Sequence, residues 1–131
     1  MSDAEEMVRR IIETHNRDPY ALLDVFDDLF APDFEFRPRT VAERLSYRGR
    51  EGFETYYRER AEVFGGGEVH IRSLETLGEA VVVHARSTAL GRASGANVEE
   101  DISLVYRVRD GRVVSLDVFR SHQDALEAAR A

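Results

Sequence analysis

The sequence predicts an α+β fold: a curved antiparallel or mixed sheet forming a cone, with N-terminal helices covering its concave face. Three observations carry this prediction. Helical spacing dominates the first half of the chain and strand alternation the second, so the two element types segregate. The run 98–119 places two β-rich segments around Asp110-Gly111, a pair able to take the positive φ of a type I′ hairpin. The alternation at Val69 and Ile71 then slips phase at Ser73-Leu74, which marks a bulge or bend. Bulged antiparallel strands curl, and helices laid on the inner face leave a pocket beneath them.

Each element follows in order. Ser2-Asp-Ala-Glu5 reads as a capping box, and Met7, Val8, Ile11, Ile12 and His15 share a helical face. Asn16-Arg-Asp-Pro19 breaks that helix. Asp18 caps a second one with Pro19 at its first position. Leu22, Phe26 and Leu29, with Leu23 and Phe30, form its buried stripe, and Ala31-Pro32 ends it. Residues 33–37 read as a short strand with Phe34 and Phe36 on one face, stopped by Pro38. Residues 39–48 have no clear period and read as a loop, a candidate lid. Tyr47-Arg-Gly-Arg-Glu-Gly-Phe53 enters a third helix with Phe53, Tyr56, Tyr57, Ala61 and Phe64 on its apolar face, and Gly65-Gly66-Gly67 stops it. Strands at 68–77 and 80–90 are joined by Gly78-Glu79, and a Gly/Ala/Ser-rich loop leads to the 98–119 hairpin. Ser121-His-Gln-Asp124 then caps a short C-terminal helix carrying Ala125, Leu126 and Ala129.

Composition excludes several chemistries. At 131 residues the chain is one domain by size, residues 1–131. Its net charge of −7 argues against nucleic acid and against an anionic membrane surface. All 18 basic residues are arginine, so no lysine can form a Schiff base. There is no cysteine, which removes disulfides, thiolate nucleophiles and Cys-ligated metals. His15, His70, His84 and His122 lie too far apart in sequence for a metal motif. The glycine triplet is not a phosphate loop. No apolar run approaches the ~20 residues of a membrane span, and the acidic N-terminus is unlike a signal peptide. A cytoplasmic location is expected, with no cofactor and no metal.

Four pieces of local wording, in order along nearly the whole chain, resemble the SnoaL-like (polyketide cyclase-like) group of the nuclear transport factor 2-like superfamily. Asn16 to Pro32 looks like its N-x-x-D…ALL…F-A-P-D segment, and Tyr47-Arg-Gly-Arg-Glu-Gly-Phe53 like its Y-R-G-R-E-G helix entry. Arg109-Asp-Gly-Arg-Val113 looks like its R-D-G-K-I hairpin, and Asp124-Ala-Leu-Glu-Ala-Ala129 like its E-E-A-L-E-A-A tail. The resemblance implies a cystatin-like cone, a helix-lined pocket for a small hydrophobic molecule and commonly a homodimer. It implies no single activity, because the fold hosts enzymes, binding modules and scaffolds. Neither the Tyr-plus-two-carboxyl set of its ketosteroid isomerase relatives nor the Asp-Arg-Asp set of its limonene epoxide hydrolase relatives can be traced here.

The polar strand residues are the candidates for chemistry. Glu100 shares a face with Val98, Ile102, Leu104, Tyr106 and Val108; it is either a desolvated general base or a solvated carboxylate at the sheet rim. His84 and Arg86 share a face with Val82 and Thr88. There His84 would transfer protons and Arg86 hold a carboxylate or enolate, unless both point to solvent or a dimer interface. Strand parity puts Leu116 in the core and Asp117 outside, and only a bulge would bring Asp117 into the pocket as an acid/base. Tyr20, Tyr57 and Tyr106 are expected to contact substrate, with Phe36 as pocket wall; Tyr56 is a further hydroxyl of the same kind. The expected function is cofactor-free acid/base catalysis, a cyclisation, isomerisation or hydration, on a hydrophobic carbonyl compound. The other reading is a non-catalytic ligand-binding or dimerisation module.

Overall fold

The computed structural model describes residues 3–39 and 45–131. The cap proposed at Ser2 and residues 40–44 of the proposed lid lie outside the described residues. The chain runs through α1 (Asp3–Arg17), α2 (Ala21–Asp24), α3 (Phe26–Leu29), β1 (Phe30–Pro38), β2 (Tyr47–Arg48) and α4 (Gly49–Val63). Then come β3 (Phe64–Leu77), β4 (Ala80–Gly91), β5 (Asn97–Arg109), β6 (Arg112–Phe119) and α5 (His122–Arg130). The strands form one curved sheet in the order β2-β1-β6-β5-β4-β3. Only the β1–β6 pair is parallel, which makes the sheet mixed.

The local signals hold at the hairpin. Asp110 has φ 53° and Gly111 φ 77°, so the β5–β6 turn has both positive angles a type I′ turn requires. The β3–β4 register shifts between Ile71 and Ser73, beside the predicted phase slip. Ser121 Oγ accepts the Asp124 backbone N–H at 3.2 Å and caps α5. At the entry to α4, a Cβ on Gly52 would lie 2.7 Å from the Tyr47 carbonyl carbon, so only glycine allows the helix to pack on β2.

Three boundaries differ from the sequence reading. The second helix is two four-residue helices, α2 and α3, broken at Val25 (φ −109°, ψ 14°). Ala31-Pro32 does not close a helix but lies inside β1, which starts at Phe30 opposite Val113. Pro32 cannot donate to the ladder, and the β1–β6 register shifts between Phe30 and Glu35, around it. The glycine triplet is likewise strand, not a stop: β3 begins directly at Phe64, and Gly66 takes φ 55° where the register shifts.

The sheet has two packed faces. Val81, Val83 and Ala85 of β4, Ile102, Leu104 and Tyr106 of β5, and Leu116 of β6 join the main core with α1, α2, α3 and α4. Phe26, Phe30, Phe34 and Phe53 fill its closed end, Phe30 and Phe34 with ring centres 4.8 Å apart edge to face. The opposite residues of the same strands, Ala80, Val82 and Val105, pack under Ala125 and Ala129 of α5. Period-two alternation thus divides β4 and β5 between an inner face under the N-terminal helices and an outer face under α5. Asn16 ties the end of α1 to the sheet. Its amide donates to the Val69 carbonyl and accepts the Val69 N–H, both at 2.8 Å, as a neighbouring strand would.

Candidate functional site

A cavity opens between α1, α4 and the inner face of β5 and β6. Its inner chamber is about 120 Å³ and is walled by Phe36, Leu104, Tyr106 and Leu116. An outer chamber of about 340 Å³, with Tyr20 and Arg92 on its wall, adjoins it; His15, Tyr57, Arg60, Gly67 and Glu68 line both. The inner chamber has the scale of a single aromatic ring, since an apolar void of roughly 150 Å³ holds benzene.

Polar groups are few, and several hydroxyls are directed by burial. His15 Nδ1 lies 3.0 Å from Tyr57 Oη, linking α1 to α4 across the cavity. Burial, with the positive charge of Arg60 added, pushes the His15 pKa from 6.5 down to about 4, so its imidazole is neutral at pH 7. Burial raises Tyr57 well above the ordinary tyrosine value and raises Tyr56 and Tyr106 as well. All three therefore stay protonated at neutral pH and can act as hydrogen-bond donors. Glu100 enters the cavity edge in register with Ser87 of β4, which also lines it. The Glu100 charge contributes to the rise at Tyr56, so carboxylate and hydroxyl share one electrostatic environment. Its side chain is 42% exposed and lies 3.7 Å from the Arg120 guanidinium.

The SnoaL-like domain family model matches residues 8–116. This chain belongs to the SnoaL-like domain family. Its fold matches an NTF2-like protein of unknown function from Burkholderia pseudomallei at 20% identity, covering 100% of both chains with a TM-score of 0.76. IdmH from Streptomyces antibioticus, described as a candidate polyketide cyclase, matches at 19% identity over 96% of this chain and 97% of its own, TM-score 0.73. An LEH-like epoxide hydrolase from M. tuberculosis matches at 18% identity over 96% and 88%, TM-score 0.70. No curated protein matches the sequence.

In this SnoaL-like chain the cavity gathers Glu100, Tyr57, Tyr106 and Phe36 from the sequence candidates, with Tyr20, 45% exposed, at the outer chamber. Three candidates do not reach it. His84 lies on the outer face of β4, its ring stacked on His122 at 4.8 Å. It is half-buried and lies away from the pocket, partly covered by the first turn of α5; Ser103, opposite His84 on β5, bonds His122 Nδ1 at 2.7 Å. Arg86, two residues along the same face, pairs with Glu99 and Asp101 at 3.2 and 3.3 Å. Asp117 stays outside because the β5–β6 register is unbroken from Ser103↔Phe119 to Arg107↔Ser115. The one shift in that pair falls beyond Arg107. Strand parity thus places His84, Arg86 and Asp117 on the outer face of the sheet, away from the cavity.

Two site residues were not candidates from sequence. His15 reads as one more member of the apolar face of α1, and Arg60 falls outside the apolar positions read for the third helix. The signal for Arg60 was spacing: it follows Tyr56 by four residues and Tyr57 by three, which puts all three on one helix face. Among the described residues no group of three or more His, Asp or Glu is placed to hold a metal ion, and no helix is long and apolar enough to cross a membrane.

Proposed function

We propose that this protein binds a small hydrophobic carbonyl compound and catalyses enolisation without a cofactor, leading to cyclisation or isomerisation. The observation that carries the proposal is the meeting of the strand carboxylate Glu100 with protonated tyrosine hydroxyls at a cavity whose wall is mostly apolar. Glu100 removes a proton from the carbon beside the carbonyl. The C–H electron pair forms a C=C bond, and the carbonyl pair moves onto oxygen. Tyr56 or Tyr57 donates a hydrogen bond to that oxygen as its charge grows. The enolate then either attacks a second carbonyl of the same molecule or takes the proton back at another carbon. His15, neutral and bonded to Tyr57, orients that hydroxyl.

The test uses 4-phenylbutan-2-one in D₂O, with exchange of its α-protons followed by NMR. The wild-type protein accelerates exchange, and Glu100→Gln reduces the acceleration by about 100-fold or more. Equal rates in the two proteins would remove Glu100 as the base. A second reading, a binding module without chemistry, is favoured by the exposure of Glu100 and its pairing with Arg120; it requires ligand binding with no exchange at all.

The same proposal takes residues 1–131 as one SnoaL-like domain acting in the cytoplasm as a homodimer joined through the outer sheet face. What supports the dimer is the part-exposed patch beside α5, where the Arg39 guanidinium lies 5.6 Å over the Phe119 ring. A monomer mass by light scattering would overturn it.

A further inference from the structure

We infer that the outer chamber is an anion subsite, and that the ligand is an apolar molecule ending in a carboxylate held by Arg60 and Arg92. This rests on the reading of the cavity as a ligand site and names the class of ligand. The two arginines lie along the bare backbone of Gly65-Gly66-Gly67, the motif that neither helix termination nor catalysis explains. A Cβ on Gly67 would lie 3.2 Å from Arg60 Nη2, and one on Gly65 would lie 3.8 Å from Arg92 Cζ. A side chain at Gly67 would press on the Arg60 guanidinium, whereas a Cβ at Gly65 would make ordinary contact with Arg92.

Both groups are fixed from behind. Arg60 Cζ lies 4.9 Å over the Phe64 ring. Arg92 donates from Nε to the Ala61 carbonyl and from its backbone N–H to the Val63 carbonyl at 2.9 Å. Among the described residues neither arginine is paired with a carboxylate, and the chamber wall also carries two acids, Asp18 and Glu68. Asp18 accepts the Tyr20 N–H at 3.1 Å, and Glu68 lies 3.4 Å from His70 Nε2. Arg17 adds a third positive charge to the chamber wall, and His15 is neutral. Three arginines against two carboxylates leave the chamber wall with a net positive charge of one at the mouth of the pocket. An arginine fork matches a carboxylate in shape and charge. A ligand spanning both chambers places a ring or short chain inside and its carboxylate at the glycine stretch.

The experiment compares 4-phenylbutanoate with 4-phenylbutan-1-ol by titration calorimetry at low salt and pH 7.5. The wild-type protein binds the acid about tenfold more tightly than the alcohol. Arg60→Gln and Arg92→Gln each reduce that acid-to-alcohol preference several-fold. Gly67→Ala, which crowds Arg60 without removing charge, lowers acid affinity alone. The acid-to-alcohol ratio is internal to each variant, so a variant that folds poorly loses both ligands together and is told apart. Equal binding of acid and alcohol by the wild type, or a preference unmoved in both arginine variants, overturns the subsite and leaves the pocket standing. Binding of neither compound overturns the subsite and the ligand-site reading together.

Discussion

The His15 imidazole and the Tyr57 hydroxyl, 42 positions apart in the chain, meet at 3.0 Å inside the cavity and join α1 to α4. The bond places a titratable group where water is scarce, and that has a measurable consequence for folding.

Burial and the nearby Arg60 lower the His15 pKa from 6.5 to about 4. Between these two values the unfolded chain takes up a proton that the folded chain refuses. The unfolded state then binds more protons, so stability falls as pH drops through this window. Between pH 7 and pH 5 the loss from this one group is about 2 kcal/mol. Denaturant titrations at the two pH values should show the wild-type loss exceeding that of His15→Phe by this amount. Equal losses in the two proteins would mean that the folded imidazole is not held neutral.

Asp117 accepts Arg37 Nε at 2.6 Å and Nη2 at 2.8 Å, directly opposite it in the parallel β1–β6 pair, and Arg39 Nε at 2.9 Å. Burial pushes this carboxyl up, but the hydrogen bonds and charges of the two arginines outweigh it and hold the group below its ordinary 3.8. Its contribution to stability is present above that value and is lost as pH falls through the folded pKa. Asp117→Asn should cost on the order of 2–3 kcal/mol, less than for a fully buried pair, because both arginines are part-exposed. Ligand affinity should not change, since Asp117 faces away from the cavity. A variant as stable as wild type in guanidinium unfolding would refute the structural role.

Asn16 offers a sharper pair of substitutions. Asn16→Ala removes both bonds to Val69 and should cost about 2 kcal/mol. Asn16→Asp keeps the shape and the acceptor but sets a carboxylate oxygen against the Val69 carbonyl. It should therefore destabilise more than alanine at pH 7. If aspartate were tolerated as well as asparagine, Asn16 would not be acting as a strand mimic.

Much of the fold was legible in short stretches. The Asp110-Gly111 turn, the slip near Ser73 and the Ser121 cap each depend on a few adjacent residues, and each forms as read. The helix–strand boundaries at Phe30 and Phe64 were less legible. At Phe30, ladder pairing with β6 and packing against Phe34 and Phe53 outweigh the turn propensity of Ala31-Pro32. At Phe64, pairing with Gly91 draws the glycine triplet into β3.

The sequence by itself determined which side chains share a strand face. Alternation has period two and needs no partner, so Glu100 travels with Tyr106, and Asp117 opposes Leu116. Only the tertiary structure decided which face is the pocket and what meets there. The inner face is defined by where α1 and α4 pack, and the outer face by α5. His84 lost its place as a candidate to that packing. His15, Arg60 and Arg92 gained theirs because α1, α4 and the loop after β4 converge on the glycine stretch of β3. No local period records that convergence, because it depends on contacts between residues far apart in the chain.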